Sequence, residues 1–127
     1  KNSIQLDLNK KDDLARMKEL IKEANIITYS YQDGCFDKFG LSIEEIRKIN
    51  PNVIYSHLVC FSDSVWRDRP GWAPLAEDIT GLSVRNGTLE NPVNLNGVPL
   101  DYIPGFILAL GTLIAIRDNL KDGKICQ

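Results

Sequence analysis

Val53-Ile54-Tyr55-Ser56-His57-Leu58-Val59-Cys60-Phe61 is apolar at nearly every position. A strand with one wet face alternates. A run that does not alternate suits a strand buried on both faces, as in parallel sheets covered by helices. Just upstream, Ser42-Ile43-Glu44-Glu45 has the form of a capping box. In it the Ser caps the third helical N–H and the Glu reaches back. The short helix it opens stops before Asn50-Pro51, because the residue before proline disfavours the α region. Further out, Gln32-Asp33-Gly34 reads as a turn and Ile26-Ile27-Thr28-Tyr29 as a β-branched strand. Leu14, Met17, Leu20, Ile21 and Ala24 recur at helical spacing, with Asn9 as N-cap and Asp12 and Asp13 at the positive end of the dipole. Asn25 ends that helix. Ser3-Ile4-Gln5-Leu6-Asp7-Leu8 alternates as a period-2 strand. The first half therefore reads β-α-β-α-β, the order of a parallel α/β sheet.

On the other side, residues 62–71 are polar and turn-rich, a loop. Ala73 to Ile79 reads as a short helix after the Pro70-Gly71-Trp72 turn. Gly81 to Pro99 reads as irregular, with Asn86-Gly87 and Asn96-Gly97 as turn dipeptides. Asp101 precedes a long apolar helix, Tyr102 to about Leu120, with Pro104 in its first turn, where a missing N–H is harmless. Asp122-Gly123 ends it. Within this helix Phe106 to Ile116 is an uninterrupted run too short for a membrane span, which needs about 18 residues, so it reads as buried and no membrane partner is expected.

The chain has 127 residues, 43% of them hydrophobic, which suits a single α/β domain over 1–127 with its own core. Fifteen Lys and Arg against seventeen Asp and Glu give a net charge of −2. A reader of nucleic acid normally carries a basic excess, so none is expected as partner. Cys35, Cys60 and Cys126 are widely spaced and His57 is the sole histidine. A structural zinc site needs four paired Cys/His ligands, so no metal is expected. Reduced thiols point to a cytoplasmic protein. The first residue, Lys1, does not resemble a signal-peptide start, and the chain reads as a piece of a longer protein.

The chain has no Gly-rich phosphate loop and no G-x-S-x-G elbow. His57, inside an apolar strand, reads as a packed or hydrogen-bonded core histidine. Asn86-Gly87-Thr88 fits a glycosylation sequon by chance. Asp101 carries two readings. As an N-cap it only completes a helix. As a nucleophile it uses the same geometry, because free N–H groups at a helix start stabilise negative charge on a carboxylate or on an oxyanion beside it. Gly97 before it and Gly105 after it permit close approach of a ligand or a backbone. Trp66, Trp72 and Tyr102 are either packing or the lining of an acyl pocket.

Taken in order, the chain resembles the family III CoA-transferases, which include formyl-CoA transferase, carnitine CoA-transferase and α-methylacyl-CoA racemase. Lys1 to Leu8 is similar to the family's K-x-S-I-x-L-D-L strand, and Ala24-Asn25-Ile26-Ile27 to its A-D-V segment. Phe39-Gly40-Leu41-Ser42 with Ile49-Asn50-Pro51 resembles L-G-L…N-P. Arg69-Pro70-Gly71-Trp72 and Thr80-Gly81-Leu82 resemble the stretch before the site. Pro99-Leu100-Asp101-Tyr102 and Gly105 resemble P-x-x-D-x-x-x-G, and Arg117 with Asp122-Gly123-Lys124 the closing R…T-G-x-G-Q. The resemblance implies a Rossmann-like parallel sheet with flanking helices, part of the large domain of such an enzyme. It implies movement of coenzyme A between carboxylic acids through an aspartyl acyl anhydride on Asp101. It places Gly34, Trp72, Tyr102 and Gly105 against the coenzyme and implies a homodimer.

The chain also departs from the pattern. Gln32-Asp33-Gly34 stands where the family has R-P-G, and Cys60 to Trp66 replaces G-F-G-x-x-G-P. Trp72 stands where the racemase branch has its histidine, so a racemase would need His57, Glu77 or Asp78 as base. Much of the family's chain is missing, so weak or no turnover is expected of this stretch alone. A non-catalytic α/β unit is the third reading.

Overall fold

The computed structural model describes residues 1–62, 65–97 and 99–122, without the side chain of Asp122. Its elements are α1 (Lys11–Glu23), β1 (Ile26–Tyr29), a 3-10 turn (Asp37–Phe39), α2 (Ile43–Ile49), β2 (Ile54–His57), α3 (Ala73–Ile79), α4 (Leu82–Asn86) and α5 (Pro99–Asp122). They form two compact units. The first holds residues 1–29, 34–56 and the end of α5 from Ala115. The second holds residues 30–33 and 57–114.

In the first unit, β1 and β2 pair as a parallel two-stranded sheet connected through α2. This is the α/β arrangement expected from the apolar run and the capping box. Ile21 of α1, Leu41, Ile46 of α2 and Val53 form the buried core, and Leu14, Met17, Ile27 and Phe36 pack on it. Ser42 Oγ accepts the Glu45 N–H at 3.3 Å, as the capping box requires. The second half of the box differs. The Glu45 carboxylate pairs with Lys48 one turn on. It is Glu44 whose carboxyl lies below the usual carboxylate range, held there by a backbone N–H and by Ser42.

Two strand expectations are corrected. Residues 3–8 form no strand: among the described residues the sheet has only β1 and β2, so an alternating segment has no neighbour to take its N–H and C=O groups. Asp7 organises a turn there. Its carbonyl accepts the Lys10 N–H at 2.8 Å and its Oδ1 accepts the Asn9 N–H at 3.1 Å. The N-cap of α1 is thus Lys10, not Asn9, and it makes no side-chain cap bond. The second strand covers Ile54–His57 only. Its ladder ends where the four-residue β1 ends.

Asn50 does more than stop α2. Its Nδ2 donates to the carbonyls of Ile21 at 2.9 Å and Ala24 at 2.7 Å, closing the open end of α1 with a side chain from 26 residues downstream. Asn50→Ala removes both bonds, leaving the Ile21 carbonyl with the Ala24 N–H alone, and is expected to cost about 2 kcal/mol, read as a lowered urea midpoint at unchanged m-value.

In the second unit, α3 falls at Ala73–Ile79 as expected. α4 was not expected within the irregular stretch. It opens at Gly81 in the left-handed region (φ 76°) and packs on α3. The long helix starts earlier than its apolar pattern suggested, at Pro99. Asp101 is therefore its third residue and not its N-cap. Pro104 falls in the second turn, where its missing N–H deprives the Leu100 carbonyl of its helical partner. The C-terminal Gly123 lies outside the described residues.

The expectation that this helix is buried is also corrected. Tyr102, Ile103, Phe106, Ile107, Leu110, Leu113 and Ile114 are exposed, Phe106 by 75%. Among its described residues only Ala115 is fully buried. The helix is apolar on all sides, and the chain covers one stripe of it. By length and composition alone, Pro99–Lys121 could cross a membrane, at a mean hydropathy of 1.7.

Candidate active site

The segment after β2, the Pro70-Gly71-Trp72 turn, α3 and the first turns of α5 surround a cavity of about 410 Å³ within the second unit. Trp72, Ala73, Ala76 and Thr80 line one side, Cys60 and Gly71 another, and Leu100, Asp101 and Pro104 the mouth of α5. Ala73, Ala76 and Thr80 recur at i, i+3 and i+7, which puts three small side chains on one stripe of α3. Such a wall leaves room for a ligand.

Gly71 is fixed by its neighbours. A Cβ there would sit 2.5 Å from Cys60 Sγ and 2.8 Å from Phe61 Cε2. Only glycine lets the turn lie against the Cys60 segment. The same closeness desolvates Cys60, and burial pushes its thiol above the ordinary range.

Asp101 projects from the first turn of α5 and lines this cavity. In that turn the N–H groups of Leu100 and Asp101 precede the first intrahelical bonds, and Pro99 has none to offer. The positive end of a 24-residue helix therefore lies at the carboxylate. An anion that forms beside Asp101 meets free donors and a favourable dipole in a mostly apolar pocket.

The proposed site residues divide. Asp101 and Trp72 share the cavity. Tyr102 and Gly105 flank Asp101 on α5 and are exposed, but neither lines the cavity. A Cβ on Gly105 would meet nothing within 4 Å, so packing within this chain does not demand glycine there. Gly34 belongs to the first unit, in a left-handed turn at φ 75°. Asp63, Ser64 and Cys126 lie outside the described residues. Cys60, Thr80 and the small-residue stripe were missed as wall residues. The stripe's spacing was visible in sequence, but small residues on a helix carry no chemistry of their own.

His57 is half-buried and hydrogen-bonded, as its place in an apolar run suggested. Its Nε2 lies 3.1 Å from the Tyr31 carbonyl and its Nδ1 3.4 Å from Asp33 Oδ1. Asp33 also receives Arg67 at 2.9 Å. Glu77 and Asp78 bond to Asn94, and Glu77 also to Leu95. None of His57, Glu77 and Asp78 lines the cavity with Asp101. Among the described residues, no group of three or more His, Cys, Asp or Glu could hold a metal ion.

The whole chain, residues 1–127, matches the profile described as CoA-transferase family III. It is 29% identical over 127 residues to the succinyl-CoA–L-malate CoA-transferase beta subunit of Chloroflexus aurantiacus, covering 98% of this chain and 31% of that protein. It is 27% identical to the formyl-CoA:oxalate CoA-transferase of Escherichia coli, covering 98% and 30%. In fold it is similar to a CAIB/BAIF family protein from Brucella suis, with a TM-score of 0.88 at 22% identity over 97% of this chain and 33% of that one. The chain spans about a third of the length of the curated relatives it matches.

Proposed function

Because this chain belongs to CoA-transferase family III, we propose that it moves coenzyme A between carboxylic acids, with Asp101 as the acyl acceptor. The observation that supports this most is the position of Asp101, on the first turn of α5 and open to the cavity. The Asp101 carboxylate attacks the thioester carbonyl. The C–S bond breaks, CoA leaves as thiolate, and a mixed anhydride forms on Asp101. The thiolate then attacks the aspartyl carbonyl, giving aspartyl-CoA and freeing the donor acid. The acceptor carboxylate and the thiolate repeat the two steps in reverse order, which regenerates Asp101. Each step splits one hard acyl transfer into easier ones. At about 410 Å³ the cavity suits the acyl group and the adjoining thioester arm. Trp72 offers an apolar wall at its mouth.

Cys60 reports on this reading, since it lines the same cavity. Cys60 is exposed, and partial desolvation on its cavity side pushes its thiol above the ordinary range by disfavouring the thiolate. Alkylation of Cys60 is therefore expected to keep accelerating at pH values where an unperturbed thiol has levelled off. Saturating acetyl-CoA is expected to slow it about tenfold, by analogy with ligand linkage, as followed by peptide mass mapping. Alkylation at an unchanged rate under millimolar acetyl-CoA would place the thioester elsewhere.

The exposed apolar face of α5 favours a second reading, in which the chain serves as an assembly unit and does not turn over by itself.

A further inference from the structure

We propose that Glu77 is the positioning residue that fixes the chain entering α5, and thereby Asp101, against the cavity wall. The inference rests on the reading of Asp101 as acyl acceptor. Glu77 is 1% exposed. Its Oε2 accepts the Leu95 N–H at 2.9 Å and Asn94 Nδ2 at 3.0 Å. Nearby, the Val93 N–H donates to the Ser83 carbonyl at 2.9 Å, and Asn86 Nδ2 donates to the Val93 carbonyl at 3.0 Å.

Leu95 is the last described anchor before α5. Only Asn96, Gly97 and Val98 separate it from Pro99. Gly97 turns the chain in the left-handed region at φ 82°. Leu95 and Pro99 are four residue steps apart, about 14 Å at most, so fixing Leu95 restricts where α5 begins.

One short helix thus carries two jobs on adjacent stripes. Ala73, Ala76 and Thr80 of α3 form the cavity wall, and Glu77 of α3 grips the segment that delivers Asp101. Wall and carboxylate are registered through the same helix. Burying a carboxyl between neutral donors costs desolvation. An apolar side chain would fill the space, but it would leave the Leu95 N–H unpaired and the entry to α5 free to shift.

The test compares the full chain with Glu77→Gln and Glu77→Ala by amide hydrogen exchange and NMR, first without ligand and then with acetyl-CoA. In Glu77→Ala, exchange at Leu95 and at Ile103, Gly105 and Phe106, the first amides that bond within α5, is expected to quicken about tenfold, with the amides of β1 and β2 unchanged. Glu77→Gln keeps an acceptor for Leu95 and is expected to restore protection to within about threefold at both places. If Glu77→Ala does not fold, Asn94→Ala, which removes one donor only, is expected to quicken exchange at Ile103, Gly105 and Phe106 by a smaller factor. Quicker exchange at Leu95 with Ile103, Gly105 and Phe106 untouched overturns the proposal, whether or not the chain binds thioester. With acetyl-CoA, Glu77→Ala is expected to weaken binding about tenfold and Glu77→Gln to recover it. Wild-type chain that binds no acetyl-CoA, while α5 still loosens in Glu77→Ala, defeats the acyl-acceptor reading and leaves the positioning role standing.

Discussion

Asp101→Asn is expected to abolish capture of an acyl group from a CoA thioester. The amide has nearly the size and shape of the carboxylate, so the third position of α5 stays filled. The amide is a poor nucleophile, however, and it forms no anhydride. The loss is expected to reach about a thousandfold or more, the scale seen when a covalent nucleophile is removed. The fold changes little. An acidic side chain in the first turn of a helix contributes about 0.3–1 kcal/mol through the dipole, and that is the stability the variant gives up. The measurement is chemical trapping: chain, acetyl-CoA and hydroxylamine, followed by peptide mapping. Hydroxylamine cleaves an aspartyl anhydride and leaves a hydroxamate on Asp101 in the wild type only. Equal trapping in Asp101→Asn would show that the carboxylate is not the acceptor.

Ile46→Ala is expected to have the largest effect on stability. Ile46 lies in the centre of the first unit's core with Ile21, Leu41 and Val53. Truncation removes three carbons and leaves a cavity that α1 and the sheet cannot fully close. Such changes cost about 2–5 kcal/mol, against a total of about 5–15 kcal/mol for a domain. The aromatic residues separate the readouts. Tyr29 and Tyr55 lie in the first unit and stack at 6.0 Å, while Trp66 and Trp72 lie in the second. In urea, the ring NMR signals of Tyr29 and Tyr55 are expected to be lost at a much lower midpoint in Ile46→Ala. The tryptophan fluorescence shows whether the second unit follows. A tyrosine midpoint lowered by less than the equivalent of about 1 kcal/mol would mean that the core absorbs the loss.

Much of the α/β order was legible because it is local. Ser42 announces α2, Pro51 ends it, and the β-branched Ile26–Tyr29 marks β1, all from near neighbours. The misreadings involve partners that sequence does not display. Residues 3–8 have a strand's alternation and no second strand. The apolar residues of α5 suggest burial, but they surround the helix, and a helix can turn only one side to its own core. Asp101 was read as the residue that caps α5, but it is the third residue of that helix. Pro99 starts the helix in the first position that proline favours, a signal passed over for the capping residue type at Asp101. Glu77 was visible only as one carboxylate among several, since its partners lie seventeen and eighteen residues downstream. Asn50 was read as a stop signal, while its larger task is to close a different helix.

The placement of Pro104 has a mechanical consequence. Removing one rung from the hydrogen-bond ladder five residues in leaves the opening of α5 a tip held by one bond fewer than the rod behind it. Asp101 rides on the tip. In the acyl-acceptor reading, this missing rung and the Glu77 grip on the entering chain together set how far its carboxylate moves during transfer. A single missing hydrogen thus leaves the first turn of α5 with one bond fewer than an unbroken helix would have.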